Sequence, residues 1–143
     1  MIKYFSEGIQ FNFKDKTAAR RWLKFAAEAE SKRIGDISII FCSDPYILDV
    51  NIQFLGHDYY TDIITFDYVE GSVLSGDLFI SIDSVRENAA FYGAGFTTEL
   101  RRVMVHGLLH LIGYDDHTEA EQKHMRAKED YYLSLWEKVT GVK

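Results

Sequence analysis

The twelve residues from His106 to His117 contain three of the five histidines of the chain, at a spacing that suits metal coordination. His106 and His110 are four residues apart, so on a helix both imidazoles lie on one face and can reach the same ion. Gly113 follows, and glycine accepts the left-handed conformation that ends many helices. Asp116 and His117 then lie on a turn that brings a third ligand to the same point. Three protein ligands with a fourth position left for water are typical of catalytic zinc.

The alternative interpretation of the histidine pair is that it binds no metal ion. Two histidines at helical spacing are often only partly buried side chains, but a third histidine with adjacent carboxylates favours a metal site. Cys42 is the single cysteine, so any metal must be held by histidine and carboxylate. Because Cys42 falls in an apolar run, it is predicted to be a small buried side chain.

Length and composition indicate one domain spanning residues 1–143, with 47% apolar and 15% aromatic residues. The N-terminus has no signal-peptide pattern, and no apolar run approaches the length that crosses a bilayer. A cytoplasmic protein without a membrane partner is therefore expected. The formal charge of −6 argues against nucleic-acid binding driven by global charge, and no DNA partner is expected.

Hydrophobic periodicity predicts a small α+β domain with a mixed sheet of about four strands. Strands are predicted in residues 2–13, 37–42, 61–66 and 76–82, the last two as an antiparallel hairpin. Helices are predicted at about 16–31, 44–55, 84–92 and 118–139, and from Thr97 or Thr98 past His110. Asp44 and Thr97 or Thr98 are the predicted caps of their helices, and Thr118 with Glu121 predicts a capping box for the last one. The helix that carries His106 and His110 is apolar nearly all round, so it is expected to be central and buried.

Two segments together resemble the YbeY family of bacterial endoribonucleases. One is His-Gly-Leu-Leu-His-Leu-Ile-Gly-Tyr-Asp, which begins at His106. The other is Asn-Ile-Gln-Phe-Leu-Gly-His-Asp-Tyr-Tyr-Thr-Asp-Ile-Ile-Thr-Phe from Asn51, followed by Gly-Asp-Leu-Phe-Ile from Gly76. The order of elements is similar to that family from about residue 34 to 137.

The resemblance implies a single-strand-specific, metal-dependent endoribonuclease with one Zn²⁺ per chain held by three histidines. It implies hydrolysis of phosphodiester bonds by a zinc-activated water, in maturation of the 16S ribosomal RNA 3′ end and in ribosome quality control. The implied partners are single-stranded RNA, ribosomal RNA and the small ribosomal subunit. No residue is assigned as the general base.

Two departures from the family pattern affect the site. The family usually has Gly-Tyr-Asp-His, whereas this chain has Gly-Tyr-Asp-Asp-His117, so either His117 or Asp116 is the third ligand beside His106 and His110. His117 is favoured, because a turn after a helix absorbs one residue easily. Leu55 stands where the family usually carries an arginine thought to engage phosphate.

Two other functions therefore stay open. One is a metallohydrolase of another substrate, including peptides, although Gly107 stands where His-Glu-x-x-His proteases carry their general base. The other is a non-catalytic ribosome-associated factor that retains the fold, favoured by Leu55 and the acidic charge. His57, Arg86 and Lys24 are candidates to replace the missing arginine.

Overall fold

A mixed four-stranded sheet forms the centre of the computed structural model, which describes all residues from 1 to 143. The strands are β1 (Ile2–Glu7), β2 (Arg33–Cys42), β3 (Ile63–Asp67) and β4 (Val73–Ser81). Their order across the sheet is β1-β2-β4-β3. β2 pairs in parallel with β1 and β4, whereas β3 pairs antiparallel with β4. The interior strands β2 and β4 are the most deeply buried, as expected for strands paired on both edges.

Six α-helices accompany the sheet. They are α1 (Lys16–Ala29), α2 (Asp44–Val50), α3 (Ile82–Tyr92), α4 (Phe96–Ile112), α5 (Glu119–Ser134) and α6 (Trp136–Thr140). A π-helical turn (Asn51–Leu55) continues α2. None of these helices has the length and apolar character needed to span a membrane.

Helix α4 is buried between the sheet and the other helices, in contact with α1, α3, α5, β3 and β4. Its backbone approaches the sheet closely at Gly107. An added Cβ there would lie 2.8 Å from Ile63 Cδ1 and 3.0 Å from Leu78 Cδ1. Glycine at this position therefore sets how closely the histidine-bearing helix packs on β3 and β4.

The predicted α+β class, the mixed sheet of four strands and the β3–β4 hairpin are confirmed, and Cys42 is buried. The predicted caps are partly wrong. α2 is capped by Ser43, whose Oγ accepts a hydrogen bond from the Tyr46 amide at 3.3 Å, rather than by Asp44. α4 begins at Phe96 with Gly95 as its cap, so the predicted caps Thr97 and Thr98 lie inside its first turn. Several good capping residues are adjacent in both places, and the strand or loop before the helix decides which is used.

The last predicted helix is two helices that meet at Leu135. The break places Trp136 edge-to-face on Trp22, with ring centroids 5.1 Å apart. The Trp22 Nε1–H donates to the Tyr132 carbonyl oxygen at 2.7 Å, which attaches α1 to the end of α5. Tertiary packing of the aromatic rings therefore overrides the continuous helical pattern of the sequence.

Candidate metal centre and active-site cleft

Three potential ligand atoms meet at the C-terminal half of α4. His106 Nε2 and His110 Nε2 are 3.0 Å apart, and Asp116 Oδ2 lies 3.4 Å from the first and 3.5 Å from the second. Ligands at about 2.0–2.2 Å from a tetrahedral zinc are separated from one another by about 3.3–3.6 Å. The three atoms therefore fit one ion with little movement, and the donor set of two imidazoles and a carboxylate suits zinc.

Asp116, and not His117, completes this group. His117 is exposed and borders the same cleft without bringing a ring nitrogen into the triangle. The sequence-based preference for His117 assumed that the turn absorbs the additional residue. Instead, the chain turns at Gly113 (φ 123°) and reaches the two rings with Asp116. Ligation by His117 stays a prediction, and the geometry favours the alternative.

The loop that carries Asp116 is fixed from both sides. On one side, the Tyr114 hydroxyl donates to Glu30 at the end of α1, which also accepts from the Tyr132 hydroxyl and from Lys128 Nζ at 3.0 Å. Burial acts to raise the pKa of Glu30, but these three donors lower it overall. On the other side, a capping box at Thr118 starts α5 immediately after the loop, as the sequence predicted.

Glu129 of α5 orients His106 from behind. Its side chain is buried, and Oε2 accepts a hydrogen bond from His106 Nδ1 at 2.6 Å. This contact assigns the ring proton to Nδ1 and leaves the Nε2 lone pair for a cation. Arg102 Nη1, 3.0 Å from Glu129 Oε1, balances the buried charge.

The charges around His106 favour a cation at this position. Burial acts to lower the pKa of His106, but Glu129, Asp116 and Asp62 together raise it. The same carboxylates that favour a proton on the ring favour a metal ion beside it. The acidic surroundings of His106 therefore favour metal binding without the help of a substrate.

Two cavities meet at the His106–Asp116 pair and share Asp62. The first, of about 360 Å³, lies between α3, α4 and α5 and contains Arg102 and Arg126, so we name it the arginine cavity. The second, of about 460 Å³, lies between the β3 segment and the Asp116 loop, and we name it the strand cavity. Both volumes fall within the range of small-ligand pockets.

The cleft is lined by carboxylates as well as by arginines. Asp62 accepts a hydrogen bond from Asn88 Nδ2 at 3.4 Å, and burial raises the pKa of both Asp62 and Glu99. Thr61 and Asp62 both line the strand cavity, and the Thr61 hydroxyl also donates a hydrogen bond to the Ile63 carbonyl oxygen at 3.2 Å. Glu99 was not singled out, although it precedes His106 by seven residues and therefore lies on the same face of α4.

Leu55, at the position of the family arginine, is 44% exposed and lines neither cavity. The suggested substitutes also lie outside both cavities: His57, Arg86 and Lys24. Arg102 and Arg126 are the basic side chains at the cleft. No sequence motif marks Arg126, because it lies on a strongly charged helix, where arginine is usually a solvated surface residue.

The central helix of this α+β domain carries two histidines next to a carboxylate at a polar cleft. This arrangement is typical of metal-dependent hydrolases. The sequence model of the family described as Endoribonuclease YbeY matches residues 2–137. The chain belongs to the YbeY family, as the two sequence motifs indicated.

Individual relatives cover nearly the whole chain. Endoribonuclease YbeY of Parabacteroides distasonis is 50% identical over 134 residues, 94% of this chain and 94% of the relative. Endoribonuclease YbeY of Bacteroides thetaiotaomicron is 48% identical over 134 residues, 94% of this chain and 98% of the relative. The solution structure of TM1509 from Thermotoga maritima is similar with a TM-score of 0.69 and 30% identity, over 96% of this chain and 90% of that chain.

Proposed function

We propose that this protein is a metal-dependent endoribonuclease that cleaves single-stranded RNA. The observation that carries the proposal is the triangle of His106 Nε2, His110 Nε2 and Asp116 Oδ2 at a polar cleft. Relatives that are about half identical over nearly the whole chain bear the name endoribonuclease. The two cavities adjoin at His106 and Asp116, so a strand that passes the triangle can occupy both.

The proposed cofactor is one Zn²⁺ per chain, held by His106, His110 and Asp116. A divalent cation in this position supplies Lewis-acid catalysis of phosphodiester hydrolysis. Glu129 holds the Nδ1 proton of His106 and thereby fixes the orientation of the ring. Three protein ligands are the number that catalytic zinc sites use, and such sites keep a further position for water or substrate.

Gly107 provides a structural argument against a peptidase. The general base of His-Glu-x-x-His proteases follows the first histidine directly, and that position here faces β3 and β4 without room for a Cβ. A glutamate at this position would point into the core rather than into the cleft. The family membership favours a phosphodiester substrate instead.

The biological substrate that we propose is ribosomal RNA, with the 16S 3′ end as the processing site and the small ribosomal subunit as the partner. Both follow from the family resemblance, and a role in ribosome quality control follows in the same way. We propose a cytoplasmic location on the same basis.

A second candidate function is an RNA-binding factor without nuclease activity. Leu55 favours it, because the phosphate-engaging arginine of the family pattern is missing and no lysine or arginine lines the strand cavity. The two candidates predict the same fold and the same metal. They differ only in whether bound RNA is cut.

Metal content tests the site. Protein purified without chelator or histidine tag should contain about one zinc per chain by mass spectrometry of the metal. Zinc should fall sharply in His110→Ala and Asp116→Ala and stay near the wild-type level in His117→Ala. The reverse order for the last two variants would establish His117 as the third ligand and overturn the assignment of Asp116.

An RNA assay then tests the activity. Zinc-loaded protein should cut a single-stranded oligoribonucleotide and spare the same sequence in a duplex, and cleavage should disappear with chelator and in His110→Ala. Binding without cleavage would favour the RNA-binding factor. Cleavage of casein with intact RNA would instead identify a peptidase.

A further inference from the structure

Two adjacent aromatic side chains at the C-terminal end of α3 are unusually exposed. Phe91 is 82% exposed and Tyr92 is 61% exposed. Their rings form an edge-to-face pair with centroids 5.0 Å apart. In this geometry one of the two rings keeps both faces free of the other. Single exposed apolar residues need no explanation, but a pre-formed pair of open rings beside a functional cleft does.

Tyr92 connects this aromatic pair to the candidate metal centre. It lines the arginine cavity together with His106 and Asp116. The guanidinium of Arg126 lies over the Tyr92 ring, 5.8 Å from its centroid. An aromatic face, a guanidinium and two candidate metal ligands therefore border one cavity.

The distribution of basic side chains indicates on which side of the metal centre an RNA strand continues. The strand cavity has no lysine or arginine and includes Asp67 and Asp115. The arginine cavity also includes carboxylates, Glu99 and Glu129, but it is the one that has arginines, Arg102 and Arg126. Arg102 is engaged with two carboxylates at 2.6 and 3.0 Å, whereas the Arg126 side chain is 53% exposed and its ion pair with Glu129 is 3.9 Å long. Arg126 is therefore the cleft guanidinium that is available to a phosphate.

We propose that Phe91 and Tyr92 form a stacking platform for one unpaired base of the RNA substrate, with Arg126 at the phosphate next to that base. The proposal rests on the proposed endoribonuclease function and adds the subsite that holds a nucleotide beside the cleaved linkage. Stacking on aromatic rings tolerates every base, because each base has a π-face. The platform also requires an unpaired nucleotide, since a base inside a duplex is covered by its neighbours.

The test uses zinc-loaded full-length protein and a fluorescein-labelled hexamer of uridine, together with hexamers in which one base at a time is missing. Affinity is recorded as anisotropy by stopped flow, before cleavage proceeds. Removing one particular base should weaken binding to the wild-type protein by about tenfold, as is typical for loss of one stacking contact. The Phe91→Ala/Tyr92→Ala variant should bind the intact hexamer about tenfold more weakly and should no longer respond to that missing base.

Matched variants separate stacking from general surface effects. Tyr92→Phe keeps the ring and should bind as the wild type does. Tyr131→Ala removes a 54% exposed tyrosine that lines neither cavity, so it should also bind as the wild type does. Arg126→Ala should weaken intact and base-deleted hexamers equally and reduce the slope of affinity against salt by about one. Lys123→Ala removes an exposed positive charge from the same helix outside the cavity, and should leave that slope nearly unchanged.

Two results would overturn the proposal. One is wild-type affinity of the Phe91→Ala/Tyr92→Ala variant for the intact hexamer. The other is an unchanged response of that variant to each missing base. If the wild-type protein itself binds no hexamer although it holds zinc, the endoribonuclease proposal fails together with the platform.

Discussion

Replacing Glu129 by glutamine tests how much of the metal affinity comes from the residue behind His106. Glutamine has nearly the same shape and retains an oxygen that can accept from His106 Nδ1, so the change removes mainly the negative charge. Loss of such an outer contact typically weakens metal binding by about 10- to 100-fold. Because glutamine keeps the shape of the side chain, we expect Glu129→Gln to weaken metal binding at the lower end of this range, about tenfold or ~1.4 kcal/mol. Glu129→Ala should lie towards the upper end.

The fold should survive this change. Arg102 loses one carboxylate partner in Glu129→Gln but keeps Asp130, whose Oδ1 lies 2.6 Å from Arg102 Nη2. Asp130→Asn is the matched control, because it removes the charge of the other Arg102 partner without contact to His106. Both variants should show the circular dichroism of the wild type, and only Glu129→Gln should bind zinc more weakly.

Zinc affinity is measured by calorimetry in competition with a chelator of known affinity. The expected dissociation constant of Glu129→Gln is about ten times that of the wild type, while Asp130→Asn stays within about a factor of two. Equal affinities in all three proteins would refute the inference that Glu129 positions and polarises His106. A large loss of zinc in Asp130→Asn would show instead that Arg102 controls the site.

Three further changes test what supports the site. Since hydrogen bonds lower the pKa of Glu30, its ionised form stabilises the fold above the unfolded-state pKa of about 4.3, and this stability is lost as pH falls through the lower folded-state pKa. The free energy of unfolding of the wild type, measured with urea, should therefore fall on acidification, and it should fall less in Glu30→Gln. The same pH dependence of this free energy in both proteins would contradict this. Gly76→Ala should lower the free energy of unfolding by about 1–3 kcal/mol, because its Cβ would overlap the Phe66 carbonyl oxygen in the paired strand; an unchanged thermal midpoint would refute the overlap. Thr118→Ala removes the capping box and should cost about 0.5–2 kcal/mol in urea unfolding, whereas an unchanged midpoint would show that the cap contributes nothing.

Local periodicity was sufficient to predict the histidine pair and the hairpin. The four-residue spacing of His106 and His110 fixes their relation on any helix, so the pair could be identified without tertiary information. The β3–β4 hairpin joins neighbouring segments, and the short polar turn between them is visible in the sequence. The parallel pairing of β2 with β1 and β4 joins distant segments and has no comparable local signal.

Neither the third ligand nor the contact of Glu129 with His106 could be predicted without the tertiary structure. Whether Asp116 or His117 reaches the rings is decided by the direction of the backbone after Gly113, which composition does not encode. Glu129 comes from another helix, 23 residues beyond His106. A signal for it was nevertheless present, because Met125, Glu129 and Tyr132 share one helical face and a carboxylate in an apolar stripe needs a buried partner.

The contact between Glu30 and the Asp116 loop has a consequence for the order of folding. His106 and His110 come into place as soon as one helix forms, but Glu30 and Tyr114 are separated by 84 residues. The Trp22–Tyr132 hydrogen bond closes a still longer loop of 110 residues. Closing loops of this length costs more chain entropy than forming one helical turn, so we expect these contacts to form after the helix. Because Glu30 fixes the loop that carries Asp116, zinc bound at the proposed site would stabilise chains whose beginning and end have docked over chains in which they have not.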